Sequence, residues 1–595
     1  MLKIALGQME ITPGHPSLNA QKMLSMINKA KQQNAHLIIF PEMSIPGSLL
    51  GDISEQQAFL RDCEEFGKKI IEASEGIAVI FGNVAVDWRE TAYNNHSPRK
   101  YNACFAAQNG SLVFPDSSEY NFCSTDKDLL NQFTLNLNGK NIKITCLIGE
   151  PTHSAPHTSP RPDLFINIAS SVFEPERKKS RNRFFQEYSK NLKIPFIHVN
   201  SIGLQNNGKT FFVFDGFSSI HNFDGALTHY CQQFQEEMAV FELDLENRDV
   251  AKEMPVLEDS NIAGIFHAIN YAIPKFLNSI KQNKVVIGAS GGIDSAVNAA
   301  LYVKAIGAEN VLLVNMPSKF NSSTTKNAAK ELADNLGCLY AVMPIDNSVE
   351  NTVSQISKTP VICLSKGTEF YLSLTPFMIE NIQARDRSSR LLAGVAAAFD
   401  AVFTCNANKS EMSVGYSTLY GDQAGFFAVL ADLWKHQVYE LANFLNQSVY
   451  GRQVIPQVSI DLIPSAELSY NQNVDKGQGD PFIYPYHDYL FRAFIEDSAR
   501  PAPEDFLRWY IEGVLEEKIG CEKGLVNQIF KTGEEFVADL EKWWTFHTAI
   551  SVAKRVQSPP VLSLSRRAYG SAFGESQNGT YYTQNYFRLK MLITK

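Results

Sequence analysis

Residues 285–295 read VVIGASGGIDS, and no other stretch limits the fold of this chain as tightly. Val285, Val286 and Ile287 make a short apolar strand that runs into Gly288. Ala289, Ser290, Gly291, Gly292, Ile293, Asp294 and Ser295 follow, and Ala296 opens an alanine-rich segment of helical character. Strand, glycine-rich turn and helix in succession form an anion cradle. Glycine lets the backbone approach the anion, and the helix N-terminus offers unpaired N–H donors and a favourable dipole. The Gly-Lys-Ser/Thr ending of a Walker loop is missing. The bland alternative is a tight strand-to-helix turn with incidental serines.

At 595 residues the chain is too long for one ordinary core, and two or more domains are expected. A net charge of −9 argues against nucleic acid as an obligate partner. The nine cysteines (63, 104, 123, 146, 231, 338, 363, 405, 521) include no Cys-x-x-Cys pair and suggest no disulfide framework, so a reducing cytoplasm is expected. The apolar run at the N-terminus is too short for a signal peptide or a membrane span.

Residues 1–245 alternate strand and helix patterns. Strands are predicted at 3–8, 35–40, 76–84, 141–148, 165–168, 195–199 and 240–245, with a helix over 17–33. Residues 246–260, polar with one proline, are the predicted linker. From 261 to 595 a helix containing Pro274 leads into the strand at 285, and strand and helix alternate again before a helical C-terminal region. No internal repeat or low-complexity tract interrupts the pattern.

SGGIDS resembles the pyrophosphate loop of the ATP pyrophosphatase superfamily. Further segments follow in order: Glu380-Asn381-Ile382-Gln383-Ala384-Arg385, Asn408-Lys409-Ser410-Glu411, Tyr420-Gly421-Asp422, Asp432-Leu433-Trp434-Lys435, Pro464-Ser465-Ala466-Glu467-Leu468 and Lys554-Arg555. Together they resemble the NAD synthetase family over roughly residues 260–570. The resemblance implies a doubly wound parallel α/β sheet and an ATP-dependent ligase. Such an enzyme adenylates the carboxylate of deamido-NAD, and ammonia then displaces AMP. It implies ATP contacts at Gly288–Ser295, Asn406, Lys435 and Ser465, and Mg2+ at Asp294 and Glu411, whose hard oxygens suit that ion. Dinucleotide contacts fall at Arg385 and Lys554. Asn406 stands where many relatives have threonine, and Ala553 where many have histidine. Asp422 either serves the site or closes a turn.

Residues 1–245 resemble the carbon–nitrogen hydrolase (nitrilase) superfamily through Phe40-Pro41-Glu42, Asn167-Ile168-Ala169-Ser170, Asn200-Ser201-Ile202-Gly203 and Phe214-Asp215-Gly216. This implies an αββα sandwich. In the two-domain glutamine-dependent synthetases such a domain hydrolyses glutamine with a Glu–Lys–Cys set: base, oxyanion partner and nucleophile. Glu42 fits the base. The nucleophile's place reads Leu147-Ile148-Gly149-Glu150, with glycine where the thiol belongs. Cys146 lies three residues earlier on the opposite strand face, as a core cysteine. The lysine is absent from a loop that is shortened around residues 115–122, and Lys100 and Lys127, the nearest alternatives, do not sit well. On an opposing alignment Cys146, or Cys123 in a rearranged loop, serves as the nucleophile.

The expectation is therefore an ammonia-using NAD synthetase with an inert amidase domain. The alternatives are an active glutamine-hydrolysing enzyme or one that amidates nicotinic acid mononucleotide. An RNA sulfur transferase would want paired cysteines and a basic surface, and neither is present. The resemblance also implies a homodimer or higher homo-oligomer, while the net charge and the short N-terminal apolar run leave no membrane and no nucleic-acid partner expected.

Overall fold

The computed structural model describes residues 1–88, 98–114, 131–150, 161–246, 260–570, 573–575 and 579–594. It divides into two compact units, Met1–Asn261 and Ile262–Lys595. The expected linker lies almost wholly outside the described residues, as do Cys123, Lys127 and the loop at 115–122.

The first unit is built on two six-stranded sheets. In one, Leu2–Gln8 pairs parallel with Leu37–Ile39, which pairs parallel with Ala78–Asp87. Glu237–Leu243, Arg99–Gln108 and Ser111–Val113 complete it. The other runs Leu227–Tyr230, Ser219–His221, Phe196–Asn200, Leu164–Ala169, Lys140–Ile148 and Asn131–Leu137. Ile4, Leu6, Ile39 and Ile80 of the first sheet share one core with Phe133, Ile144, Cys146 and Ile166 of the second. Each sheet's other face is covered by helices. Met23 and Ile27 of the helix Pro16–Gln32 and Leu60 and Ile70 of Gln57–Glu72 pack against Ala5, Ile38 and Val79. Phe185 and Tyr188 of Arg177–Leu192 pack against Phe165 and Phe196. Strands buried on both faces read as unbroken apolar runs, and the helices keep one apolar stripe. The layers are helix, sheet, sheet, helix.

The second unit holds a four-stranded parallel sheet in the order Leu339–Val342, Val311–Asn315, Val285–Gly288, Val402–Phe403. In chain order this is 3-2-1-4, so the winding reverses between the strands at 285 and 402. Ligands of open α/β sheets bind at the carboxyl ends of the strands at such a reversal. The helix Asn261–Ser279 continues past Pro274. A large aromatic cluster with Tyr486, Phe491, Phe536 and Trp543 packs the C-terminal helices.

Candidate active site

The glycine-rich loop sits at that reversal. Gly291 adopts φ +88°, and a Cβ there would lie 2.1 Å from the Thr325 carbonyl oxygen, so only glycine fits. Ser459 Oγ donates to the Gly291 carbonyl at 2.9 Å. Ser290 and Ser295 hydroxyls are 3.1 Å apart, and Ser295 Oγ donates to the Gly292 carbonyl. The helix Ile293–Ile306 starts after Gly292 with no side-chain cap. Its first N–H groups remain available to an anion.

Asp294, in the first turn of that helix, meets two segments of the second half. Lys435 Nζ lies 2.5 Å from Asp294 Oδ2 and 3.5 Å from Glu411 Oε1. Asn408 ties the group together: its Nδ2 donates to Asp294 Oδ1 at 3.0 Å, and its Oδ1 accepts the Glu411 N–H at 3.0 Å. Asn408 thus caps the short helix Lys409–Val414 and aims Glu411 inward. Burial pushes the Glu411 carboxyl up to about 8 against the pull of Lys435, with Asp294 and Asp480 adding to the rise. Burial pulls the Lys435 ammonium down, but the carboxylates, Asp294 first, outweigh it and the net shift is upward. Asp480 also faces Lys435; burial raises it, and Tyr484 donates to its Oδ2 at 3.0 Å.

A cavity of about 910 Å3 opens beside this cluster, and every residue expected at the synthetase site lines it except Gly291. Asn406 donates to the Gly288 carbonyl and accepts from Asn298, joining the two strand ends. Ser465 Oγ donates to the Gln472 carbonyl at 2.7 Å. Farther along, Lys554 Nζ donates to the Gly415 and Ser417 carbonyls at 2.6 Å each, and Arg385 Nε to the Leu419 carbonyl at 3.1 Å. Burial lowers Lys554, Asp422 opposes this, and Arg385 adds to it. Asp422 accepts the Thr418 N–H at 2.8 Å and also lines the cavity, so it both closes the turn and faces the site.

Asp480, Glu467 and Arg387 are among the cavity residues to which the sequence assigned no role. Asp480 follows a polar, glycine-containing run with no pattern of its own. Glu467, inside the PSAEL run, is buried at φ +46° and accepts from Ser322 N, Asn321 and Thr325. Arg387 donates to the Met316 carbonyl and to Asn321, and burial lowers it to about 10. Residues 385 and 387 would diverge on a regular helix. The helix Pro376–Arg385 passes into π-helical turns at Asp386–Leu392, which shift the register, and both arginines line the cavity.

In the first unit Glu42 is half-buried. Ser170 N–H donates to its Oε2 at 2.8 Å and Asn102 Nδ2 to its Oε1. Burial raises the carboxyl against these two donors. Gly149 adopts φ +80°, and a Cβ there would point at the carboxylate, 3.9 and 4.0 Å from its two oxygens. Gly149, expected at the nucleophile's place, therefore stands beside Glu42 and carries no side chain. Cys146 lies in the inter-sheet core with its Sγ 3.1 Å from Cys104 Sγ. Lys100 is engaged by Glu55 and the Ser54 carbonyl.

Residues 265–504 match the NAD synthase family and residues 3–120 the carbon-nitrogen hydrolase family. The chain is 30% identical over 505 residues to the glutamine-dependent NAD(+) synthetase of Acinetobacter baylyi, covering 83% of this chain and 88% of that protein. It is 27% identical to that of Synechocystis, covering 96% and 98%. The structure of the glutamine-dependent NAD+ synthetase from Acinetobacter baumannii in complex with adenosine diphosphate aligns over 97% of this chain and 98% of that one, with TM-score 0.65 and 25% identity. The Cytophaga hutchinsonii glutamine-dependent NAD(+) synthetase shares the fold over the full length of both chains, with TM-score 0.72 and 16% identity. With a nitrilase-like unit followed by a phosphate-cradling unit along nearly its whole length, this chain belongs to the glutamine-dependent NAD(+) synthetase family.

Proposed function

We propose that this member of the family draws its nitrogen from ammonia rather than from glutamine hydrolysed in its own amidase unit. The overall reaction is that of its relatives, ATP-dependent synthesis of NAD from deamido-NAD. The observation that carries the ammonia reading is Gly149, whose missing side chain would have stood beside Glu42. A base without a nucleophile cannot form the thioester through which an amidase of this kind works.

In the synthetase unit the substrate carboxylate attacks the α-phosphorus of ATP and pyrophosphate leaves. Ammonia then attacks the acyl carbon, AMP leaves, and a proton is lost. The chain's part is positioning and charge stabilisation. The N–H groups of the 288–295 loop would receive phosphate oxygens, and Lys435 would balance their charge. Asn406 and Ser465 would bound the nucleotide, and Arg385 and Lys554 would face the dinucleotide.

Mg2+ fits the donor set. Asp294, Glu411 and Asp480 are three carboxylates around one lysine; burial first, and then the charges of Asp294 and Asp480, push Glu411 up to about 8 against the pull of Lys435. Asp294 and Glu411 would hold the ion. Among the described residues no three His, Cys, Asp or Glu side chains form a ready-made metal site. Phosphate oxygens and water would therefore complete its shell. When bound, the ion offsets phosphate charge.

No helix among the described residues is long and apolar enough to cross a membrane. A homodimer or larger assembly and a cytoplasmic location complete the reading on family resemblance.

The test supplies ATP, Mg2+ and deamido-NAD with either ammonium or glutamine, ammonia-free. NAD and AMP from ammonium alone are expected. Equal turnover with glutamine overturns the ammonia reading. Turnover with nicotinic acid mononucleotide and none with the dinucleotide overturns the substrate.

A further inference from the structure

The two segments that bring Glu411 and Lys435 to the cavity are both gripped by one helix, Tyr484–Glu496. Tyr484, Asp488 and Glu496 are spaced by multiples of four and share one face. Tyr484 Oη donates to Asp480. Asp488, fully buried, takes three contacts: Ser410 Oγ donates to Oδ1 at 2.5 Å, His436 N–H donates to Oδ2 at 3.0 Å, and His436 Nδ1 lies 2.9 Å from Oδ2. Ser410 Oγ in turn accepts the Lys435 N–H at 3.0 Å. Glu496 Oε1 accepts from Lys409 Nζ at 2.6 Å and from Trp434 Nε1 at 3.1 Å.

Asp488 thus bonds the residue before Glu411 and the residue after Lys435. Ser410 closes the triangle by bonding both Asp488 and the Lys435 backbone. The helix Lys409–Val414 spans only six residues, and Lys435 stands at the first position of its own helix. Neither terminus would hold its side-chain separation by backbone stiffness alone. The Glu411–Lys435 separation of 3.5 Å is therefore set from outside the cavity.

We propose that Asp488 is a positioning residue for the ATP end of the site. Through Ser410 and His436 it fixes the spacing of Glu411 and Lys435, and it touches no substrate itself. The glycine-rich loop and the dinucleotide end, with Arg385 and Lys554, are held by other contacts. Loss of Asp488 should therefore weaken ATP use selectively. A purely structural role would instead lower the amount of folded enzyme and leave the KM of each substrate unchanged.

The inference rests on ATP binding in this cavity, so ATP binding is read separately from turnover. The variants are Asp488→Asn, Ser410→Ala and, as a control, Asp539→Asn. Asp539 contacts a different histidine, the buried His487, and accepts from Trp543 Nε1. ITC with Mg-ATP and steady-state assays with ammonium are run on the full chain. For Asp488→Asn, a tenfold or greater rise in the KM for ATP and in the calorimetric Kd is expected, with the KM for deamido-NAD within twofold. Ser410→Ala should show the same pattern at about fivefold, and it decides the matter if Asp488→Asn does not fold. Asp539→Asn should leave the KM for ATP within twofold. ATP parameters within twofold of wild type in Ser410→Ala overturn the proposal, as does an equal rise in both substrates' KM. Wild-type protein that binds Mg-ATP without making NAD would contradict the proposed function and leave the positioning test standing.

Discussion

Lys435 is nearly enclosed, and its ammonium is the positive charge that Asp294 and Glu411 share. Removing one partner of a buried ion pair leaves uncompensated charge and costs on the order of 3–5 kcal/mol. The lower end applies here, because both carboxylates keep some contact with solvent. Lys435→Met should therefore lower the melting temperature. It should also reduce kcat/KM for ATP by about a hundredfold, equivalent to ~2.7 kcal/mol of transition-state stabilisation. Kinetics within threefold of wild type would remove Lys435 from the phosphate site. His547 is the second informative residue. Burial, and then Arg555, hold its imidazole down at about 3, against the ordinary 6.5, while Nδ1 contacts the Ser413 carbonyl at 2.7 Å. The native ring stays neutral from pH 6.5 down to about 3, whereas the unfolded ring takes up a proton over that range. Its contribution to stability is thus full above pH 6.5 and is lost on acidification at ~1.4 kcal/mol per pH unit. Buried carboxyls with raised values, Glu411 among them, shape the total curve in the opposite sense but cancel in a difference. Denaturant melts at pH 7, 6 and 5 should show His547→Gln losing less stability than wild type on acidification. Parallel curves would mean that His547 is not held neutral.

At the scale of elements, the 288–295 turn is determined by its closest contact. A methyl group at Gly291 would meet the Thr325 carbonyl at 2.1 Å, and the residue's φ of +88° disfavours any side chain. Gly291→Ala should cost at least ~2 kcal/mol and abolish Mg-ATP binding by calorimetry. Gly292→Ala, where the added methyl would first meet Ser290 Oγ at 3.4 Å, should do much less. Equal effects would show that the loop does not need its left-handed residue. Such local elements were legible in the sequence because their chemistry is local: the strand at 285, the turn, the uncapped helix, and the Asn408 and Glu411 segment. The Leu2–Gln8 and Leu37–Ile39 strands were legible because burial on both faces leaves continuous apolar runs. What was not legible depends on tertiary register. Arg387 reaches the cavity through π-helical turns that no 3.6-residue periodicity announces. Asp480 and Asp488 matter because the helix Tyr484–Glu496 lies across segments more than fifty residues away in sequence. The hairpin Pro360–Cys363 and Thr368–Tyr371 also went unanticipated, since its strands are short and largely exposed.

At the scale of the molecule, the chain carries two units of unequal chemical completeness. The second gathers a glycine-rich loop, the Lys435 ammonium with Asp294, Glu411 and Asp480 about it, and further cations that include Arg385, Arg387 and Lys554 around one cavity. The first keeps a half-buried carboxyl whose hydrogen-bond donors among the described residues, Asn102 and Ser170, are neutral. Burial raises that carboxyl, and Glu42 also fixes the turn through its own carbonyl, which accepts from Ser170 Oγ at 3.0 Å. A glutamate kept for packing should tolerate an isosteric amide, whereas a general base should not. Glu42→Gln is therefore expected to retain ammonium-driven NAD synthesis within twofold of wild type. Neither protein should make NAD from glutamine once free ammonia is removed. In a working amidase the same substitution would abolish glutamine-dependent turnover and spare the ammonium-dependent rate. The paired assays on wild type and Glu42→Gln thus separate an inert unit from an active one. If wild type uses glutamine and Glu42→Gln does not, a nucleophile elsewhere in the first unit serves in place of position 149. If instead the ammonium rate itself falls more than threefold in Glu42→Gln, the first unit supports the synthetase reaction without performing chemistry of its own.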